Sequence, residues 1–364
     1  MSDFASAALA MKVACPNNEM LTDDKGMPSF YVKLAAQPLS ALLTDGDSSI
    51  HPAFLVNGQQ KDHFLCGKFQ GVANNNRIYS LPGEDPRANI TLDTYESYCK
   101  NKGPGHHCHT AAEWAFIALW CKKNGTQPKG NNNYGKDTTE TTYVAIPSMA
   151  KDAEGRTQRV ATGTGPVTWS HNGQRDGIWD LNGNVWEWTA GIRLVYGELQ
   201  VIPYNNAAHS DTATGASSTE WKALNASATG YNDLYITPNG SGTTSGSVKL
   251  DYVSSHWQWQ AAAITSQSDS SRNATFASTT ASGLSDFCKM HLRAMALLPE
   301  DGDTDYGGDY FYGNNGAAER CAYRGGSWNY GAYAGVFYLI FSSPRSHSYG
   351  GLGGRPAFIE ETDN

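Results

Sequence analysis

Apolar and polar positions alternate most regularly near the end of the chain. Within residues 324–358, Val336, Phe337, Leu339 and Phe341 have the spacing of a buried strand. The residues between and beyond them are expected to face outward. Upstream, residues 1–45 read as a turn-rich N-terminal extension with short strands, PSFYVKL (28–34) being the best of them. In HPAFLVNGQQKDHFLCGKFQG two apolar runs flank Asn57-Gly58, which predicts a hairpin. LDTYESYCKNKG (92–103) predicts a helix stopped by Gly103-Pro104. HTAAEWAFIALWCKKNG predicts a second helix, capped by Thr110 with Glu113 completing a capping box. Its nearly all-round apolar character places it against a sheet. The polar tract NNNYGKDTTETT follows as a loop, then GIWDLNGNVWEWTAG, then a strand-like IRLVYGELQVIP. Residues 205–285 are rich in Ser, Thr, Asn and Gly, with little periodicity apart from VKLDYV (248–253). They read as a long insertion, of the kind usually functional or mobile. FCKMHLRAMALLP is apolar again, DGDTDYGGDYFYGNNGA is a turn-rich approach to the final segment, and no internal repeat is visible.

Composition narrows this picture. With 364 residues, 40% hydrophobic and ten Trp, the chain can build a substantial core. Charged residues are only 17% and Gly reaches 38, which favours a turn-rich fold over a helical bundle. The net charge of -8, with no basic stripe to offset it, argues against a nucleic-acid partner. No run approaches the roughly 20 apolar residues of a membrane span, so no membrane insertion is expected. The N-terminus lacks a basic segment ahead of a long apolar core, so no signal peptide is expected and synthesis in the cytoplasm is. The seven cysteines are odd in number, scattered and without CxxC spacing. They read as mostly reduced, small buried residues; Cys108 and Cys121 flank a helix, and a pairing partner for either stays open.

The final segment interleaves two alphabets. A rigid one holds Gly325, Gly326, Trp328, Gly331, Gly335, Val336, Phe337, Leu339, Pro344, Arg345, Gly353, Gly354, Arg355 and Pro356. An adaptable one holds Ser327, Asn329, Tyr330, Tyr333, Tyr338, Ile340, Ser342, Ser343, His347, Tyr349 and Gly350. Tyr supplies stiff amphipathic contact area, and Ser and Gly supply adaptable polar filling, so this is the composition of a binding surface. No paired carboxylates, Ser/His/Asp grouping or metal-type Cys/His cluster accompanies it.

DLNGNVWEW (180–188) gathers side-chain oxygens from Asp180, Asn182, Asn184 and Glu187 around a turn at Gly183. A hard cation takes about six to eight oxygens from such a mixed set; an Asx-turn with Glu187 bonded to backbone amides is the alternative. His106, His107 and His109 beside Cys108 read as a polar loop leading into the helix at Thr110, because alternation aims neighbours apart, with a transition-metal site as the alternative. Asp301, Asp303, Asp305 and Asp309 read as a solvated turn.

GNVWEW, followed at a distance by RGGSW and a terminal GGRPAF, resembles the formylglycine-generating-enzyme (sulfatase-modifying factor) branch of the C-type lectin fold. The AEWAFIALW helix fits the one this branch places before its core. The resemblance implies an α+β C-type lectin fold of the formylglycine-generating-enzyme-like subtype, loop-rich with few helices and small antiparallel sheets. This domain would span residues 46–364, including the 205–285 insertion and a variable region at 324–358. It also implies a structural Ca2+ held by the Asp180 side chain, the Gly183 and Val185 carbonyls and the Glu187 side chain. The reactive cysteines of the enzymatic members match Tyr330 and Gly335 here, so the catalytic thiols are absent and a non-enzyme is expected. The interleaved ending resembles, more narrowly, the variable region of proteins diversified by retroelements, such as phage tropism determinants. Every adaptable residue belongs to the set that adenine randomisation of an AAC codon yields. That resemblance implies a hypervariable receptor-recognition protein, binding a host-cell surface protein or glycan from a phage tail or a bacterial surface. The alternatives are a sulfatase-modifying-factor-like enzyme and a lectin that binds sugar directly through calcium.

Overall fold

The computed structural model describes residues 3–142 and 144–361. Four α-helices, α1 (Asp3–Ala14), α2 (Leu92–Lys100), α3 (Ala111–Lys123) and α4 (Asp286–Ala294), accompany many short strands. The protein is therefore α+β, loop-rich and poor in helix. Among the described residues no helix is long and apolar enough to cross a membrane.

Both predicted helices form for the expected reasons. Thr91 caps α2 by accepting from the Thr94 amide. On α3 the Thr110 hydroxyl accepts from the Glu113 amide while Glu113 accepts from the Thr110 amide, closing the capping box. α3 is buried almost all round; Phe116 packs on Phe54 and Phe64, and the Trp114 indole donates to the Val336 carbonyl at 2.7 Å. The Asn57-Gly58 hairpin joins Leu55–Val56 to Gln59–Gln60, with φ of 50° and 73° at the two turn residues. Tyr196-Gly197, at φ 48° and 85°, makes the same kind of turn and folds the strand-like 192–203 stretch into a hairpin.

A five-stranded sheet, wholly antiparallel, runs in the order Asn18–Thr22, Pro28–Ala35, His63–Gly67, Pro356–Phe358, His106–Cys108. Within Pro28–Ala35, residues Tyr31 to Ala35 pair with His63–Gly67, so the expected boundary near residue 45 is no break in the sheet. The C-terminal strand lies between two strands made much earlier. A twelve-stranded sheet is organised around Trp186–Val195, which pairs with Arg320–Arg324 on one side and Glu198–Val201 on the other. Leu339–Ser343 follows outside Arg320–Arg324, then Tyr310–Gly313 in parallel. Parallel pairings of this kind make the larger sheet mixed, whereas the five-stranded sheet meets the antiparallel expectation.

Two readings need correction. The 205–285 stretch is no loose insertion. It supplies Lys222–Leu224, Tyr235–Ile236, Lys249–Val253, His256–Gln260, Arg272–Thr275 and Thr280–Ser282 to the larger sheet. Trp257 and Trp259 are fully buried, their indoles donating to the Phe311 and Leu297 carbonyls. The Ser- and Thr-rich composition belongs to the turns between these strands. At the N-terminus, α1 replaces the expected loops; Phe4, Leu9 and Val13 are exposed on it.

All seven cysteines are free, six of them buried. His106 and His107 point apart as alternation requires, the first to the Tyr31 hydroxyl at 3.3 Å and the second to Glu113 at 2.8 Å. The acidic loop also disperses: Asp303 pairs with Lys122, Asp301 with Arg293, and Asp309 is buried.

Candidate ligand-binding surface

The rigid alphabet works as a set of anchors. Arg324, Arg345 and Arg355 are all buried. Arg324 donates to the Ala296 carbonyl at 3.0 Å. Arg345 reaches Glu319 at 2.8 Å and Asp93 at 2.6 Å, and Arg355 grips Glu187 through two bonds of 3.0 and 2.7 Å. Gly325, at φ +92°, lets the chain leave its strand where a β-carbon would sit 2.8 Å from the Leu181 carbonyl. The chain then makes a short turn at Gly331–Tyr333 and returns through Val336 and Phe337 into the strand Leu339–Ser343.

Alternation along that strand is real, but both faces are covered. Val336, Phe337, Leu339 and Phe341 join the main core. Tyr338 and Ile340 join a second core with Trp186, Trp188, Tyr323 and Leu352. Tyr338 lies edge-on to Trp186 at 4.5 Å. The expectation that all adaptable residues face outward is therefore corrected for Ser327, Tyr338, Ile340 and Ser343, which are buried. On the face shared by Tyr338 and Ile340, Trp186, Trp188 and Tyr323 of the neighbouring strands form an aromatic layer, with Leu92, Tyr95 and Leu352 in the same cluster. Ser343 is held there by the Tyr323 hydroxyl at 2.9 Å.

The other adaptable residues reach solvent. Asn329, Tyr333 and Gly350 are exposed, Tyr333 at 50%. Tyr330, Ser342, His347 and Tyr349 are partly exposed. Their rings form a connected layer around buried Tyr338. Tyr330 lies 5.8 Å from Tyr338 and 4.8 Å from Trp186, and His347 lies 5.4 Å from Tyr349. Tyr310 and Tyr312 extend this layer from outside residues 324–358. Tyr333 meets Tyr310 at 4.1 Å, and Tyr312 lies 6.1 Å from Tyr338. Sequence reading missed these two, although the alternation Tyr310-Phe311-Tyr312, with Phe311 in the main core, carried the signal. Burial pushes the Tyr330, Tyr338 and Tyr349 hydroxyls up, so they remain neutral donors and acceptors at neutral pH. Burial pushes His347 down, which keeps its ring uncharged there.

Trp328 is only partly buried, not a core residue as its place in the rigid alphabet suggested. Its main chain is what is fixed: its amide donates to the Asn184 carbonyl at 3.2 Å and its carbonyl accepts from Tyr134 at 2.7 Å. A β-carbon on Gly335, one of the two matched thiol positions, would overlap the Asp309 carboxylate. Cys321 is buried, and desolvation pushes its thiol up, away from the reactive thiolate form. A cleft of about 190 Å³ borders the Gly331–Tyr333 turn, with Asn132, Asp137, Asp309 and Gly335 among its lining residues.

No family model matches the sequence, and no curated protein does. Among solved structures, Treponema denticola variable protein 1 is similar at 13% identity, over 94% of this chain and 98% of that one, with a TM-score of 0.32. The P3c variant of the Major Tropism Determinant is similar at 9% identity, over 93% and 70%, with a TM-score of 0.29. Its U1 variant is similar at 10% identity over the same shares, also at 0.29.

The Asp180–Glu187 turn presents a different arrangement from the one the resemblance implies. Asp180 and Glu187 are buried, and the Gly183 and Val185 carbonyls do turn inward with the Glu187 carboxylate. One Asp180 side-chain oxygen accepts from the Gly163 amide at 2.8 Å, and the other is buried without a hydrogen-bond partner. Burial pushes Asp180 up to about 6; burial also pushes Glu187 up, opposed by Arg355. The inward oxygens meet the side-chain amide of Gln70. As placed, the set surrounds a hydrogen-bond donor and does not fit calcium. Among the described residues, no group of three or more His, Cys, Asp and Glu side chains is placed to hold a metal ion.

Proposed function

We propose that this chain is a hypervariable ligand-binding protein built on a C-type lectin framework of the formylglycine-generating-enzyme-like subtype. Its ligand would be a host-cell surface protein or glycan, met from a phage tail or a bacterial surface. The observation that carries this reading is the connected layer of Tyr310, Tyr312, Tyr330, Tyr333 and Tyr349 around buried Tyr338. Tyr side chains at the edge of a rigid core offer contact area at low entropic cost. The buried arginine anchors hold the backbone while the outer side chains can change. A thiol-dependent enzyme is disfavoured because Tyr330 and Gly335 replace the matched cysteines and Cys321 is buried.

The test exchanges Asn329, Tyr330, Tyr333, His347 and Tyr349 together for another adaptable set and measures binding to a panel of bacterial surfaces. A changed binding profile with an unchanged melting temperature is expected. An unchanged profile would place the ligand elsewhere, the cleft of about 420 Å³ beside Arg193, Trp221 and Ser217 being the first place to look.

A further inference from the structure

The oxygens of the Asp180–Glu187 turn converge on one nitrogen. Gln70 is fully buried and follows the strand His63–Gly67. Its side-chain nitrogen lies 3.0 Å from the Asp180 carbonyl, 2.9 Å from the Val185 carbonyl, 3.1 Å from Glu187 Oε1 and 3.4 Å from the Gly183 carbonyl. A hard cation is held at about 2.3–2.6 Å by such a set. The separations here belong to N–H···O bonds, with two amide hydrogens shared among several acceptors. The orientation of the amide is fixed by its surroundings. Gln70 Oε1 accepts from Asn184 Nδ2 at 2.9 Å. Turned over, the amide would set oxygen against the converging oxygens and nitrogen against nitrogen.

The charge is balanced without a cation as well. Glu187 is the one carboxylate in the set. Arg355 meets both of its oxygens, at 3.0 and 2.7 Å, and both side chains are buried. Two further Arg355 hydrogens go to the Gly67 and Trp179 carbonyls at 2.9 and 2.8 Å. Arg355 thus neutralises Glu187, while the adjoining buried Asp180 carboxyl accepts from the Gly163 amide through one oxygen and has no hydrogen-bond partner at the other.

We propose that the Gln70 carboxamide, with Arg355, takes the place of a cation in this turn and makes it independent of calcium. Gln70 ties together the carbonyls and the carboxylate that a metal ion would otherwise join. It also ties the turn to the end of a strand in the other sheet. Gln70 is thus a positioning residue for the loop from which the Trp186–Val195 strand starts.

The test compares the melting temperature of the full chain in millimolar calcium and in chelator, for the wild type and for Gln70→Glu. A ligand that binds only the folded state raises the melting temperature by mass action. The wild type is expected to melt at the same temperature in both. Gln70→Glu places a carboxylate among the oxygens; it is expected to melt lower in chelator and to recover in calcium. If that variant does not fold in chelator, its refolding on addition of calcium is the same readout. A wild type whose melting temperature rises by several degrees in calcium would overturn the proposal. So would a Gln70→Glu variant indifferent to calcium.

Discussion

Tyr333 stacks on Tyr310 with ring centroids 4.1 Å apart, so the exposed turn of the variable segment rests on a strand that lies outside it. The pair shows how the surface is built. An outer ring that can change is set on a partner that belongs to the framework. Tyr333→Ala is expected to weaken ligand binding while lowering stability by no more than about 1.5 kcal/mol, the worth of one aromatic pair. Tyr338→Ala is expected to cost about 3–5 kcal/mol, as loss of a large core aromatic does. Chemical denaturation of the two variants separates them; equal costs would erase the distinction between the exposed and buried tyrosines.

Gly335 and Asp309 exclude each other's growth. Gly335→Ala should cost about 1–3 kcal/mol, the range for overpacking a filled site. The same substitution in an Asp309→Ala background should cost less, because the overlapping carboxylate is gone. A double-mutant cycle by urea unfolding measures the coupling. A Gly335→Ala variant as stable as the wild type would show that the turn can move aside.

Asp309 also predicts a pH dependence. Burial pushes its carboxyl up to about 8 from an ordinary 3.8, opposed by hydrogen bonds from the Phe337 and Tyr338 amides. Between those values the folded chain keeps the proton and the unfolded chain loses it. Stability is therefore full below about pH 4, falls as pH rises towards 8, and levels off above. The slope from this one group is at most about 1.4 kcal/mol per pH unit. Asp309→Asn keeps an acceptor for the Phe337 amide and should flatten the decline. Glu96, pushed up to about 7 by burial, contributes in the same direction and leaves a residual slope. Unfolding free energies of both proteins between pH 5 and 8 check this; parallel curves would refute it.

Arg355 and Glu187 form a pair with no access to solvent. Arg355→Met strands a buried carboxylate and should cost about 3–5 kcal/mol. Adding Glu187→Met to the same chain should recover part of that loss. Denaturant midpoints of the single and double variants give the comparison, and a double variant less stable than the single would count against a charge-driven cost.

Much of the framework was legible in the sequence because it is written in local chemistry. The Thr110/Glu113 box, the Asn57-Gly58 turn and the apolar spacing of Val336 to Phe341 each specify geometry within a few residues. What stayed hidden depends on what lies across a face. Tyr338 and Tyr333 share one alphabet, yet one is roofed by Trp186 and the other is not. Alternation marks two faces of a strand without saying that both are covered. The strand His256–Gln260 was overlooked because its Ser- and Thr-rich neighbours dominated the composition, although its alternating Trp257 and Trp259 are core residues. The turn at Asp180–Glu187 shows the same limit. Its oxygens are local and readable, while the donor that meets them comes from Gln70, far away in sequence.

The place of Pro356–Phe358 in the five-stranded sheet has a consequence for how the chain folds, and for variants if the segment is diversified as proposed. That strand is the last of its sheet to be synthesised, yet it fills an interior position between His63–Gly67 and His106–Cys108. The sheet cannot close until the whole changeable stretch has been translated and has turned back correctly. A stretch that cannot bring its far end home leaves two strand edges open. On the proposed reading, folding would act as a proofreading step: a poor variant would be removed as a misfolded chain before it is ever tried as a binder.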